Sequence, residues 1–442
     1  MLSLHRQGRI LRTSMKSEKN LPPESSGIKL TFRTLSYRNY RLFFIGSGIS
    51  MIGNWMQQVA MSWLVYRLTN SSLLLGVIAF AGLFPGFLLT PLAGVLSDKW
   101  SRHRILLVSQ VLAMLQASAL TFLVMTGMVA VWHIMFLSVL LGLISAFDIP
   151  ARQSFIVDMI EKREDLGSAI ALNSALFNGA RLLGPSLAGI TIAAVGEGIC
   201  FLLNALSYLA VIATLFLIKI KSAPKAGSKA DIVKGFKAGF RYTFGFLPIR
   251  YVLLLLALVN LMGMPYMVLM PVFAKDVLHG GPHTFGFLMA ASGAGALTGA
   301  LYLASRRTVL GMGRIIPVAA GIFGLGLIFF SLSRVLWVAL LLLLFTGFGM
   351  MVQQALSNTI IQTVVDDDMR GRVMSFFAMA FMGTIPLGSL LAGGFADLIG
   401  APCTLIIGGF CCILGALIYA RKLPLLQDMV RSIYVRKGII SA

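Results

Sequence analysis

The chain has 442 residues, of which 57% are hydrophobic and 12% charged, with a mean hydropathy of +0.87. A soluble domain carries roughly a quarter charged residues, so a chain this apolar has no means of hiding its surface in water. The formal charge of +21 would suit a nucleic-acid binder, but the placement of those charges, set out below, excludes that class.

Residues 1–38 form a basic tail without the apolar core of ~7–15 residues that a cleaved secretory signal needs. The first membrane helix is therefore expected to anchor the chain, with translation from Met1 or from Met15 left open. Twelve apolar runs follow, at 40–66, 73–96, 105–126, 130–151, 168–194, 199–220, 251–273, 284–304, 315–333, 335–357, 372–396 and 402–420. Each is long enough to cross a hydrocarbon core of ~30 Å, which predicts an all-α integral membrane protein with twelve transmembrane helices. Residues 39–220 then make an N-terminal six-helix bundle, 221–250 a cytoplasmic linker, 251–421 a C-terminal six-helix bundle and 422–442 a second cytoplasmic tail.

In the first span Asn54, Gln57 and Gln58 occupy neighbouring turns beside Trp55 and Trp63, a face suited to lining a wet cavity. Asp148 and Arg152 lie one helical turn apart in the fourth, a spacing that permits an intrahelical pair or a proton site. The fifth carries Asn173, Asn178 and Arg181, and the sixth Asn204. Arg181 lies ~20 Å into its span, where an ionised side chain needs a partner. That partner is a substrate anion, a proton-exchanging carboxylate or backbone carbonyls of the bundle, and the sequence leaves all three open.

Within the linker, Ile232, Phe236, Phe240 and Phe244 recur at helical intervals beside Lys234, Lys237 and Arg241, the pattern of an amphipathic helix lying on the membrane surface. The second half offers Asn260, Gln353, Gln354 and Asn358 as cavity candidates. Each amide reads equally as an interhelical hydrogen bond worth roughly 0.6 kcal/mol. The run Asp366-Asp367-Asp368, followed by Arg370 and Arg372, suits a helix start and a latch at a cytoplasmic gate better than a metal site.

All but four of the 37 Lys and Arg residues fall on one side of the predicted membrane, the exceptions being Arg67, Arg181, Lys275 and Arg334. Both termini are therefore expected in the cytoplasm. Cys200, Cys403, Cys411 and Cys412 have neither zinc nor disulfide-framework spacing. No phosphate-binding loop of the G-x-x-x-x-G-K-[ST] type occurs and no acid, His or Cys cluster converges within a span, so neither an enzyme nor a cofactor is expected.

The halves repeat. A shift of 204 superimposes Gly167 on Gly371, Gly179 on Gly383, Gly184 on Gly388, Gly189 on Gly393 and Gly196 on Gly400, while a shift of 210 relates Gly53 to Gly263 and Gly76 to Gly286. Parallel repeats of this kind build one large class of secondary transporters.

Between the second and third spans the chain reads Gly94-Val-Leu-Ser-Asp98-Lys99-Trp-Ser101-Arg102-His103-Arg104, which resembles the loop 2–3 signature of the major facilitator superfamily. Ser101 replaces its usual glycine and His103 a basic residue. The stretch from Ala180 to Gly189, with Gly184 and Pro185, resembles the fifth-span motif of exporters that run as antiporters, and Ala146 to Gln153 resembles the drug, macrolide and siderophore exporter branch. The resemblance spans about residues 37–421 and implies the major facilitator fold in a bacterial inner membrane. It further implies alternating access, with export of small amphipathic molecules and protons as the coupling ion. Gly94, Asp98, Lys99, Arg102, Arg104, Asp148, Arg152, Arg370 and Arg372 become gate candidates. From Trp132 to Pro150 the fourth span lacks the buried arginine that the resemblance associates with proton transfer, which leaves the coupling ion open. An importer or a lysophospholipid flippase shares the same bundle, and a non-transporting sensor or scaffold is the rival from another class.

Overall fold

A computed structural model of the chain describes residues 33–437 apart from 161, 219–231, 307 and 309, and at 90–99, 163 and 232–236 it describes the backbone alone. In chain order the helices are α1 (Arg38–Thr69), α2 (Ser72–Lys99), α3 (Arg102–Met125), α4 (Val131–Asp158), α5 (Leu166–Val195), α6 (Glu197–Leu217) and α7 (Ile232–Gly245). They continue with α8 (Leu247–Val277), α9 (Pro282–Ala304), α10 (Met312–Leu332), α11 (Leu336–Val364), α12 (Arg370–Ile399) and α13 (Ala401–Arg436).

Among the described residues, ten of these helices are long and apolar enough to cross a membrane. Helices α1 and α5 match them in length, at 32 and 30 residues, but are interrupted by the amides and the guanidinium singled out above. The 14 residues of α7 rise only ~21 Å, too short to span. Large apolar side chains cover the outside of the molecule, as a hydrocarbon solvent requires. Trp132 and Trp337, 63% and 78% exposed, stand at the starts of α4 and α11, where amphipathic rings suit the membrane boundary.

Helices in lipid gain little from hydrophobicity and associate through close backbone contact at small residues. Helix α1 packs on α6, α2 on α4, and α3 on α4 and α6; the second half repeats this as α8 on α13, α9 on α11, and α10 on α11 and α13. The close contacts repeat too. Gly142 of α4 sits against the Gly82 carbonyl of α2, and Gly347 of α11 against the Ser292 carbonyl of α9, neither with room for a Cβ. Gly196 and Gly400, which separate α5 from α6 and α12 from α13, both have φ of +86°, a conformation that favours a residue without Cβ.

The halves differ in backbone regularity. Helix α8 contains wide π-type turns at Val259–Gly263 and Phe273–Val277, and α12 contains one at Met379–Gly383. Two of these face each other, since the Asn260 amide donates to the Ala380 carbonyl at 3.5 Å. Pro265 and Pro271, which have no N–H to offer the preceding turn, lie in α8 just beyond and just before its two wide turns.

One face of the molecule carries the starts of α1, α3, α5 and α12, together with α7 and the end of α13; it is called the near face. Helix α7 packs on the start of α12, where Phe240 and Phe244 meet the Phe376 ring edge-on at 6.1 and 6.2 Å. The expected amphipathic segment is thus helical and seated on protein, although the side chains of Ile232 and Phe236 lie outside the described residues. Residues 422–436, expected as a tail, continue α13 without a break. Arg436 pairs with Asp366 at 2.7 Å, and the Tyr242 hydroxyl of α7 donates to the same carboxylate at 2.9 Å.

Asp165 fastens the start of α1. Its carboxylate accepts from the Tyr37 hydroxyl at 2.7 Å and pairs with Arg33 at 2.7 Å. The Tyr37 hydrogen bond first, then Arg33, hold this carboxyl below the usual carboxylate range. A depressed folded value stabilises above the unfolded pKa of about 4 and is lost as pH falls through the lower folded value. Protection from hydrogen exchange at 33–40, taken relative to the intrinsic rate at each pH, should therefore persist at neutral pH and fall once the pH drops below about 4, whereas Asp165→Asn should show low protection throughout.

Candidate transport pathway between the two halves

Opposite the near face, the first and second halves meet along two helix pairs, α2 with α12 and α5 with α9. A Cβ built on Gly76 of α2 would lie 2.5 Å from the Ser389 carbonyl oxygen and 3.0 Å from the Gly393 Cα of α12. A Cβ on Gly286 of α9 would lie 2.5 Å from the Pro185 carbonyl oxygen and 2.8 Å from the Gly189 Cα of α5. The repeat read from the sequence relates Gly76 to Gly286 and Gly189 to Gly393, so the same crossing occurs twice.

Polar contacts reinforce this far side. The Tyr66 hydroxyl of α1 donates to the Asp276 carboxylate of α8, Lys275 donates to Asn70 at 2.6 Å and lies 5.5 Å from the Tyr66 ring centre, and Ser71 reaches Asp397 at 3.5 Å. Trp63 stacks on Phe285 at 6.2 Å. Of these residues the sequence singled out only Trp63, as a possible cavity ring, and Lys275, as a basic residue outside the predicted cytoplasmic side.

At mid-depth the first half holds an amide network. Asn204 of α6 donates to Gln57 of α1 at 2.8 Å and, at 3.4 Å, to Asn54, which also accepts from the Tyr208 hydroxyl at 2.5 Å. Gln57 donates to Gln116 of α3 at 3.0 Å, and Gln116 to the Leu137 carbonyl of α4 at 3.2 Å. Four helices are thereby joined, with Gln116 and Tyr208 missed by the sequence reading. Gln58 is exposed, Asn173 half-buried, and Asn178 donates within its own helix to the Ser174 carbonyl at 2.8 Å. In the second half Gln354 donates to Asn260 at 3.1 Å, Gln353 donates to Ser357 at 3.3 Å, and Asn358 accepts from Gln362 at 2.9 Å. These contacts leave Asn178 and Asn358 bonded within their own helices and the amides of Asn54, Gln57, Asn204, Asn260 and Gln354 bonded between helices.

Helix α5 runs along the seam. Gly184 abuts Ile52 and Trp55 of α1, while Pro185 and Gly189 face α9, so the fifth-span motif is buried on both sides. Arg181, also buried, directs Nη2 to the Met350 sulfur of α11 at 3.7 Å and stands 5.9 Å from the Trp55 ring centre.

Nearer the near face, Asp148 accepts from Ser109 and Gln110 of α3, each at 2.8 Å, and from Arg152 at 3.0 and 3.1 Å. Arg152 also donates to Ser47 of α1 at 3.1 Å. Arg102 pairs with Asp158 at 2.7 Å and Arg104 is exposed. Gly94 lies in α2, but the side chains of Asp98 and Lys99 are outside the described residues. The second-half gate candidates are held locally: Arg370 pairs with Asp367, and Arg372 lies 3.3 Å from the Met369 sulfur and beside Gly239 of α7. Among the described residues no group of three or more His, Cys, Asp or Glu side chains gathers to hold a metal.

The profile of the transmembrane secretion effector family, a branch of the major facilitator superfamily, matches residues 30–433. The chain belongs to that family. Among curated proteins it is 28% identical to the staphyloferrin A transporter of Staphylococcus aureus, over 87% of this chain and 97% of that one. It is 27% identical to the multidrug efflux pump Tap of Mycolicibacterium fortuitum, over 80% and 88%, and 21% identical to macrolide efflux protein A of Streptococcus pyogenes, over 84% and 94%. Solved structures of the peptide transporter POT and the nucleoside transporter NupG superpose with TM-scores of 0.69 and 0.65 at 13% identity, covering 88% and 86% of this chain and 95% and 98% of theirs. These two likenesses concern fold alone. The chain is thus a multi-pass bacterial membrane protein with a transporter fold that moves small molecules, and its family and fold are those of proteins without catalytic activity.

Proposed function

We propose that this protein is a secondary active exporter of small amphipathic molecules, with twelve spans in two six-helix bundles that rock about a central cavity. The twin glycine crossings carry the proposal: two symmetry-related contacts close the far side, and a helix pair that meets through bare backbone separates without unthreading side chains. With the positive charge bias in the cytoplasm, the near face is the cytoplasmic face, both termini lie there, and the state described is closed to the outside. The start of α12 packs on α7 and α11, which agrees with a cavity reached from the cytoplasm. The relatives' names support drug-like and siderophore-like cargo. Proton antiport is part of the proposal, with Asp148 as the acid that exchanges the proton within the fourth span.

The test is transport in inverted membrane vesicles, with a deletion strain screened against antibiotics, detergents and exported chelators. Expected are greater susceptibility of the deletion strain, its reversal by the intact gene, and ATP-independent accumulation of the same compounds in vesicles under a proton gradient. Uptake into intact cells instead of efflux would reverse the assigned direction.

A further inference from the structure

Resting on the exporter reading above, we propose that the cargo carries an anionic group, a carboxylate or its equivalent, and that Arg181 is the residue that receives it.

Arg181 is 8% exposed. It lies ~22 Å along α5 from the start of that helix, near the middle of the molecule. Its guanidinium has five N–H donors in a planar fork and no acceptor. Among the described residues its polar neighbours are a thioether sulfur, a weak acceptor, and the face of an indole ring. Neither a carboxylate nor a backbone carbonyl accepts from it, although a purely structural arginine at this depth would hydrogen-bond such groups.

Among the described residues no acid pairs with it. Asp148 is engaged by Ser109, Gln110 and Arg152. Glu197, Asp276 and Asp397 lie at the far side, in contact with Arg67, Tyr66 and Ser71. Asp158, Asp165 and Asp366 to Asp368 belong to the near face, and Asp98 lies at the last turn of α2. The centre of the pathway is therefore cationic, which disfavours a cationic cargo and awaits a counter-charge from solution.

A second group at this depth lacks a partner. The Gln353 amide, fully buried one turn along α11 from Met350, donates to Ser357 while its Oε1 has no hydrogen-bond partner. Arg181 and Trp55 belong to the first half and Met350 to the second, so the sulfur contact breaks when the halves tilt. The freed N–H fork can then bind a planar carboxylate bidentately while the indole packs on its apolar neighbour.

The test uses purified protein in nanodiscs, with benzoate, 2-naphthoate and 1-pyrenebutyrate as probes, each against its carboxamide, and sodium chloride as a separate arm. Thermal unfolding of the wild type should shift upward with at least one carboxylate and not with its amide. Arg181→Lys should keep a smaller shift, because it supplies the charge without the fork, and Arg181→Gln should bind roughly 30-fold more weakly or worse. Absence of a shift with every carboxylate, an equal shift with the amides, or unchanged affinity in Arg181→Gln overturns the proposal. So does an equal shift with chloride, which would mark a mere counter-ion site. The wild-type comparison of acid with amide needs no variant and survives any folding defect. If vesicles bearing Arg181→Gln export every screened compound at the wild-type rate, this inference fails and the exporter reading stands; if the wild type moves no compound, the exporter reading itself fails.

Discussion

Valine at Gly76 or at Gly393 is expected to arrest transport with the far side held open. A Cβ at Gly76 meets a carbonyl oxygen at 2.5 Å and a Cα at 3.0 Å, and both obstacles are backbone, which does not rotate aside. Overpacking of this kind costs about 1–3 kcal/mol. It is imposed only on the closed state, because the helices separate in the other. Two states of similar energy would shift in population by roughly 5- to 150-fold. Gly189→Val and Gly286→Val should do the same, since they belong to the copy of the crossing. In a background without the four native cysteines, Gln58→Cys should react faster with an impermeant maleimide from the outer side when any of these valines is present. Unaltered labelling together with lost export would falsify the gate assignment and point to misfolding.

Asp148→Asn is expected to lower stability by about 3 kcal/mol, the lower end of the range for breaking a buried ion pair. The Asp148 and Arg152 side chains are 15% and 14% exposed. The asparagine keeps the shape but leaves the Arg152 guanidinium without its counter-charge, between Ser47 and the Phe43 ring at 5.7 Å. Arg152→Gln alone should cost a comparable amount, and the double variant should recover a large part of the loss, because no isolated charge then remains. Thermal unfolding in nanodiscs measures all three. Additive losses would mean that the two side chains do not act as a pair.

The glycine coincidences already carry much of the architecture in the sequence. Gly76, Gly189, Gly286 and Gly393 repeat because two crossings need bare backbone, and Gly196 and Gly400 because two helix junctions share a left-handed φ. The long apolar helices were legible because runs able to cross a hydrocarbon core recur along the sequence. The partners of the amides were not. Gln116 and Tyr208 are single polar residues in apolar runs, indistinguishable by sequence from side chains that satisfy themselves locally. Tyr66 and Asp276 meet only because the halves pack against each other across 210 residues. Arg370 and Arg372 read as gate residues from charge alone, yet Asp367 and Met369 lie within hydrogen-bonding reach of them. The polar stretch after Lys422 read as a tail because its charges conceal a helical face that packs back on the protein, with Leu426 and Val430 buried.

The wide turns in α8 and α12 make the two halves mechanically unlike. Four helices of the first half are riveted by one amide network, whereas in the second half two helices carry looser hydrogen-bond spacing where they face each other. A structure with one stiff wall and one pliable wall accommodates cargo of varied outline by deforming on a single side, while the stiff side keeps its reference geometry from one turnover to the next.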